Sequence, residues 1–107
     1  MMPDITPRDE KIRKFLSKNF DEKMMFADGL DGAITGIAGR CGQPTLPVYD
    51  REKCIKIFMK RDGMTHESAE EWFDFNVAGG WVGERTPLWF TSLADIPEFE
   101  DEVGEGA

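Results

Sequence analysis

Catalytic and metal centres are built from few residue types, and this chain is short of two of them: its 107 residues include one histidine and two cysteines. Cys41 falls in a Gly-rich turn region and Cys54 on an expected helix, with no second pair and no Cys-x-x-Cys spacing. The sequence therefore predicts reduced thiols, with no disulfide framework and no zinc site. Long apolar runs are missing too, so no membrane-spanning helix is expected. Met1-Met2-Pro3-Asp4 leads into alternating charges instead of a basic segment and an apolar run. That beginning predicts no signal peptide and a cytoplasmic location. Positive charge is scarce: 13 basic against 21 acidic residues give a formal charge of −8. That sign repels nucleic-acid phosphates and anionic membrane surfaces, and suits docking on a basic protein groove.

What is present is enough for one core. Hydrophobic residues make up 40 % of the chain, with eight Phe and three Trp, and this length leaves no room for a second core. The expectation is one domain over residues 1–95 and an acidic, mobile tail over residues 96–107.

Thr6-Pro7-Arg8-Asp9 places a capping hydroxyl before a Pro at the first helical position, predicting a helix to about Asn19 with Ile12, Phe15 and Leu16 as its apolar stripe. That stripe fits either a core or a second copy of the chain, and the oligomeric state stays open. Asp28-Gly29-Leu30-Asp31-Gly32 reads as a turn, after which Ile34, Thr35 and Ile37 suggest a strand to about Arg40. A second strand is expected over 45–49, where Pro47 points to a sheet edge or the start of the strand. Asp50 caps a helix carrying Cys54, Ile55, Phe58 and Met59 on one face until Gly63. Thr65 caps the next, with Ala69, Trp72, Phe73, Asn76 and Val77 at helical spacing and Gly83 as terminator. Leu88 to Thr91 reads as a final strand entered through Pro87.

Each chemically suggestive residue has a plainer explanation. His66 sits in a cap region with no nucleophile that sequence can place beside it, so it reads as a surface histidine. Cys54 lies between Ile55 and the face of Phe58 and reads as a small buried side chain. Asp28 and Asp31 lack the alternating ligands of a calcium loop, so turn chemistry accounts for them and no metal is expected. The glycines from Gly36 to Gly42 lack a phosphate-loop ending, and a bulge or tight turn suffices. Trp72, Trp81 and Trp89 with Phe73, Phe75 and Phe90 lack the positive charge that nucleic-acid stacking needs and read as core. Helical spacing cannot bury Phe73 and Phe75 alike, however, so one aromatic is expected to mark a contact surface. No convergent nucleophile, base and charge stabiliser emerges, so neither an enzyme nor a cofactor is expected.

From Val48 to Leu88 the strings Tyr49-Asp50-Arg51-Glu52-Lys53-Cys54-Ile55, Asp62-Gly63-Met64, Glu70-Glu71-Trp72-Phe73-Asp74-Phe75-Asn76-Val77 and Trp81-Val82-Gly83-Glu84-Arg85-Thr86-Pro87 resemble a group of small acidic proteins of phage and prophage origin. The resemblance brings no catalytic residue with it. It implies a protein that acts in the host cytoplasm by binding a host protein, including defence systems that handle nucleic acid. The acids of the third expected helix, Glu70, Glu71 and Asp74, and those of the C-terminal tail would then face a basic channel, with Trp72, Trp81, Glu84 and Arg85 completing the contact.

The fold expected is α+β: a small antiparallel sheet of about three strands packed against two to three helices. The function expected is non-enzymatic binding and modulation of a host protein, such as inhibition of a defence system. The alternative is a small anionic-ligand or nucleotide-binding domain, in which Arg85 and Trp81 meet the glycine turn over residues 36–42.

Overall fold

The structure is a computed structural model and describes residues 7–99. Thr6, the expected helix cap, and the acidic tail beyond Phe99 lie outside the described residues. Helix α1 spans Pro7–Asn19, β1 Ile34–Ala38, β2 Leu46–Asp50, α2 Arg51–Asp62, α3 His66–Phe73 and β3 Leu88–Phe90. The fold is α+β, with three helices and one three-stranded sheet.

The sheet has the order β1-β2-β3 and is mixed. β1 pairs antiparallel with β2, with an irregularity between Ile34 and Gly36 that leaves Thr35 as the extra residue of a bulge. β3 runs parallel to β2, pairing Val48 with Leu88, Tyr49 with Trp89 and Asp50 with Phe90. This corrects the wholly antiparallel expectation. Strand β2 leads directly into two helices, and such a crossover returns the chain in its original direction. It also makes β2 the central strand despite Pro47. The missing N–H is tolerated because β3 begins pairing at Val48, so Pro47 has a neighbour only in Ile37 of β1.

The core lies between the sheet and α2 and α3. Ala33, Tyr49, Cys54, Ile55, Ala69 and Phe73 are fully buried there, with Leu30 and Phe58 nearly so. Burying an Ile or Phe side chain stabilises by about 1.5–3 kcal/mol, so Ile55, Phe58 and Phe73 dominate the anchoring of the two helices. Trp89 packs with its ring tilted against Tyr49 at 5.2 Å and edge-on at 5.4 Å against Phe73, tying β3 to β2 and α3. Both helices begin as their sequences require. Asp50 accepts a hydrogen bond from the backbone N–H of Lys53 and Thr65 one from Ser68, while Gly63 ends α2 in the left-handed conformation.

Helix α1 is attached by a different means. It rests on the short 3-10 turn Asp31–Ala33, with Leu16 buried but Phe15 58 % exposed. The stripe expected on this helix is thus split, Phe15 pointing away from the domain. Arg13 takes its place on the inward face. Its Nη2 donates to Asp31 Oδ1 at 2.7 Å and to Asp28 Oδ1 at 3.3 Å, and its Nε donates to the second Asp31 oxygen. The carboxylate of Asp31 is almost wholly buried, so the ion pair is the main polar link between α1 and the rest of the chain.

Candidate functional site

The face that stands out grows from the end of α3. Ala69 and Phe73 point into the core and Trp72 sits half out of it, as their spacing dictates. After Phe73 the helix widens into a π turn, Asp74–Ala78, instead of running on to Gly83 as expected. Phe75, two residues beyond the buried Phe73, falls on the opposite face and is 82 % exposed. A Cβ on Gly79 would sit 3.3 Å from the carbonyl oxygens of Asp74 and Phe75, so the glycine permits this tight return. Trp81 and Val82 follow, 76 % and 57 % exposed.

The loop after Val82 is held rather than loose. The Val82 N–H donates to Thr86 Oγ1 at 2.9 Å, the Thr86 hydroxyl donates to the Gly83 carbonyl at 2.7 Å, and Gly83 takes a φ of 105°. Arg85 Nε donates to Asp21 Oδ2 at 3.0 Å, fastening the loop to the segment after α1. Between them opens an apolar groove of about 450 Å³ lined by Met25, Phe26, Trp72, Val77, Val82 and Trp89. Trp72 and Asn76 also line a shallower groove of about 430 Å³ with Met64, Glu71 and Phe75. One apolar surface therefore runs from Met25 across Trp72 to Phe75.

The charges sort differently from their order in the sequence. Glu70 and Asp74, expected to face a partner, are engaged by Arg51 Nη2 at 3.3 and 3.2 Å. Glu71 and Glu84 are exposed and make no ion pair among the described residues. Glu84 belongs to another groove, of about 250 Å³, with Gly39, Arg40 and Leu88. The glycine turn thus meets Glu84, while Arg85 is spent on Asp21. The pocket expected from Arg85, Trp81 and the glycine turn is not assembled. Of the residues singled out by sequence, Trp72 and Glu71 line one groove, while Trp81 is exposed between Gly80 and Val82, which line the groove of Met25 and Trp72. Glu70, Asp74 and Arg85 are held in ion pairs, and Glu84 lines the groove of the glycine turn.

The chemically suggestive residues are occupied. His66 Nε2 lies 3.0 Å from Glu52 Oε2 at the surface, linking α2 to α3. The Cys54 thiol is fully buried, and burial first, then the nearby Asp50 charge, push its pKa up to about 12. It packs as a core side chain, and the raised pKa disfavours the reactive thiolate. Asp28 and Asp31 bind Arg13, so the turn reading of Asp31 gives way to a buried ion pair. Among the described residues no group of three His, Cys, Asp or Glu side chains could hold a metal, and no helix is long and apolar enough to cross a membrane. Sequence reasoning passed over Met25 and Phe26, which carry no periodic signal, and Arg13. The signal for Arg13 was present, since a cation between Ile12 and Leu16 falls on the buried side of its helix.

No family model matches the chain, and no curated protein or solved structure matches it.

Proposed function

We propose that the chain is a non-enzymatic interaction protein of the phage type, which binds and modulates a host protein through the surface formed by Trp72, Phe75, Trp81 and Met25. The observation that carries this reading is the run of large apolar side chains Met25, Trp72 and Phe75 along two adjoining grooves, with Trp81 exposed between the groove residues Gly80 and Val82. Phe75 is 82 %, Trp81 76 % and Trp72 47 % exposed. Tryptophan and other aromatic side chains dominate the energetics of protein interfaces, and contiguous apolar patches on a soluble domain mark contact surfaces. Glu71 at the rim and the charge of −8 favour a partner that is apolar at its centre and basic at its edge. A host protein that handles nucleic acid has such a surface, and an inhibitor of a defence system would occupy it.

Affinity capture from a bacterial lysate tests this, run in parallel with the wild-type chain and a Phe75→Ser/Trp81→Ser variant. Both substitutions replace exposed side chains, so stability should stay within about 0.5 kcal/mol. A specific protein retained by the wild type and lost by the variant supports the reading. Identical recoveries from both chains refute it.

A second reading, a small-ligand domain, is favoured by the groove of about 450 Å³ beneath Trp72 and Trp89, which is within the size range of ligand pockets. Its lining is chiefly apolar, and Arg85 faces Asp21 instead of the groove. An apolar ligand fits it better than an anion does.

A further inference from the structure

The acidic chain carries two basic helices, α1 and α2, each with five basic against two acidic side chains, and of these only α1 exposes an aromatic ring. Helix α1 reads PRDEKIRKFLSKN, whereas α3 and its π turn, HESAEEWF followed by DFNVA, have four acidic side chains and no Lys or Arg. On α1 the side chains of Lys11, Lys14 and Lys18 are exposed around Phe15. Their spacing places Lys11, Phe15 and Lys18 on one face, with Lys14 at its side. Phe15 meets Phe20 edge-on at 6.4 Å, and both rings are half exposed or more. On α3, Glu67 and Glu71 lie one turn apart and are exposed beside the groove of Trp72 and Phe75. The two faces are opposite in charge and alike in their aromatic centres. Within one chain they cannot meet, because α1 is turned inward on Arg13 and Leu16 with Phe15 on its far side.

We propose that a second copy of this chain covers the surface: the basic Phe15 face of α1 in one copy docks on the acidic Trp72–Phe75 face of α3 in the other, and the reverse contact forms at the same time. Such a reciprocal arrangement is an isologous two-fold dimer, in which each face is used once per copy and the assembly closes. The local complementarity acts at contact distance. The repulsion between two bodies of charge −8 acts mostly over longer distances and is screened beyond about 8 Å at physiological salt. The dimer uses the face assigned above to a host partner without depending on that assignment.

Charge exchange tests the contact. One variant carries Lys14→Glu with Lys18→Glu, the other Glu67→Lys with Glu71→Lys, and all four side chains are exposed, so circular dichroism should report both variants folded. Sedimentation equilibrium should find the wild type dimeric. Each variant alone sets like charges against each other and should weaken its dimer by about 100-fold. In an equimolar mixture both contacts become complementary again, and a heterodimer within about tenfold of wild-type affinity should form. A wild type that remains monomeric up to ~500 µM, variants that still dimerise, or a mixture that does not recover would each overturn the proposal. A monomeric wild type would leave the host-partner reading standing. Recovery in the mixture, together with capture unaffected by Phe75→Ser/Trp81→Ser, would make the face a dimer contact alone.

Discussion

Replacing Arg13 by Met keeps most of the stem volume and removes the charge that Asp31 binds. The carboxylate of Asp31 is 2 % exposed and accepts two hydrogen bonds from this one guanidinium. Leaving a buried charge without its partner typically costs about 3–5 kcal/mol. Helix α1 rests mainly on one short turn, so it can shift and admit water, which places the expected loss near the lower end, about 3 kcal/mol. Against a typical domain stability of about 5–15 kcal/mol that is a large fraction. With a urea dependence of about 1.5 kcal/mol per molar, the unfolding midpoint should fall by about 2 M. The Arg13 guanidinium is held above its ordinary pKa, first by the hydrogen bond to Asp31. The guanidinium therefore keeps its charge until strong alkali. Adding Asp31→Leu to Arg13→Met removes the orphaned charge and should restore about 2 kcal/mol, since apolar replacement of a buried pair is often neutral. Urea denaturation of the four proteins in this cycle decides the matter. A cost below about 1 kcal/mol for Arg13→Met, or simple additivity in the double variant, would refute the claim that this pair anchors α1.

Two further outcomes follow from the buried thiol and from the tether of the loop after Val82. With a chromogenic disulfide reagent at about pH 8, Cys41 should react at once and Cys54 only after urea is added, because burial keeps Cys54 protonated; prompt reaction of two thiols in the folded protein would contradict this. The Asp21 carboxyl is held below its ordinary value, first by the Lys23 backbone N–H at 2.9 Å and further by Arg85. Its stabilisation is full above the unfolded carboxylate pKa and is lost as pH falls through the folded value, so Asp21→Asn should lower Tm at pH ~7 but not at pH ~2. A gap that persists unchanged in acid would show that the Asn acts by some other route.

Local chemistry made much of the fold legible. Asp50, Gly63 and Thr65 marked the ends of α2 and α3 because capping depends on one side chain and its next three residues. Pro7 and Asn19 bounded α1 for the same reason. The direction of β3 was not legible from periodicity, since alternation is identical in parallel and antiparallel strands; only the two helices before it carried that information. The π turn escaped too, because Asn76 and Val77 continue the helical spacing and nothing in the residues themselves marks the wider turn. The exposed aromatic was anticipated from Phe73 and Phe75, which cannot share one helix face, and Phe75 is the one left outside. Charges were the least legible. Whether Glu70 meets a partner or Arg51 depends on two helices packing side by side, and no spacing within α3 encodes that.

The parallel return of β3 ties recognition to the order of assembly. Its three ladder residues find their mates only after the whole stretch from Arg51 to Pro87 has folded back, and the π turn with Phe75 and Trp81 lies inside that stretch. Long-range pairing of this kind forms late, because the closure entropy is lost before any contact rewards it. A molecule that grips the aromatic ridge therefore clamps the crossover from outside. Saturating it at about 100 times Kd adds some 2.7 kcal/mol to the folded state, and slower amide exchange along the paired backbone of Val48–Asp50 and Leu88–Phe90 would register the grip.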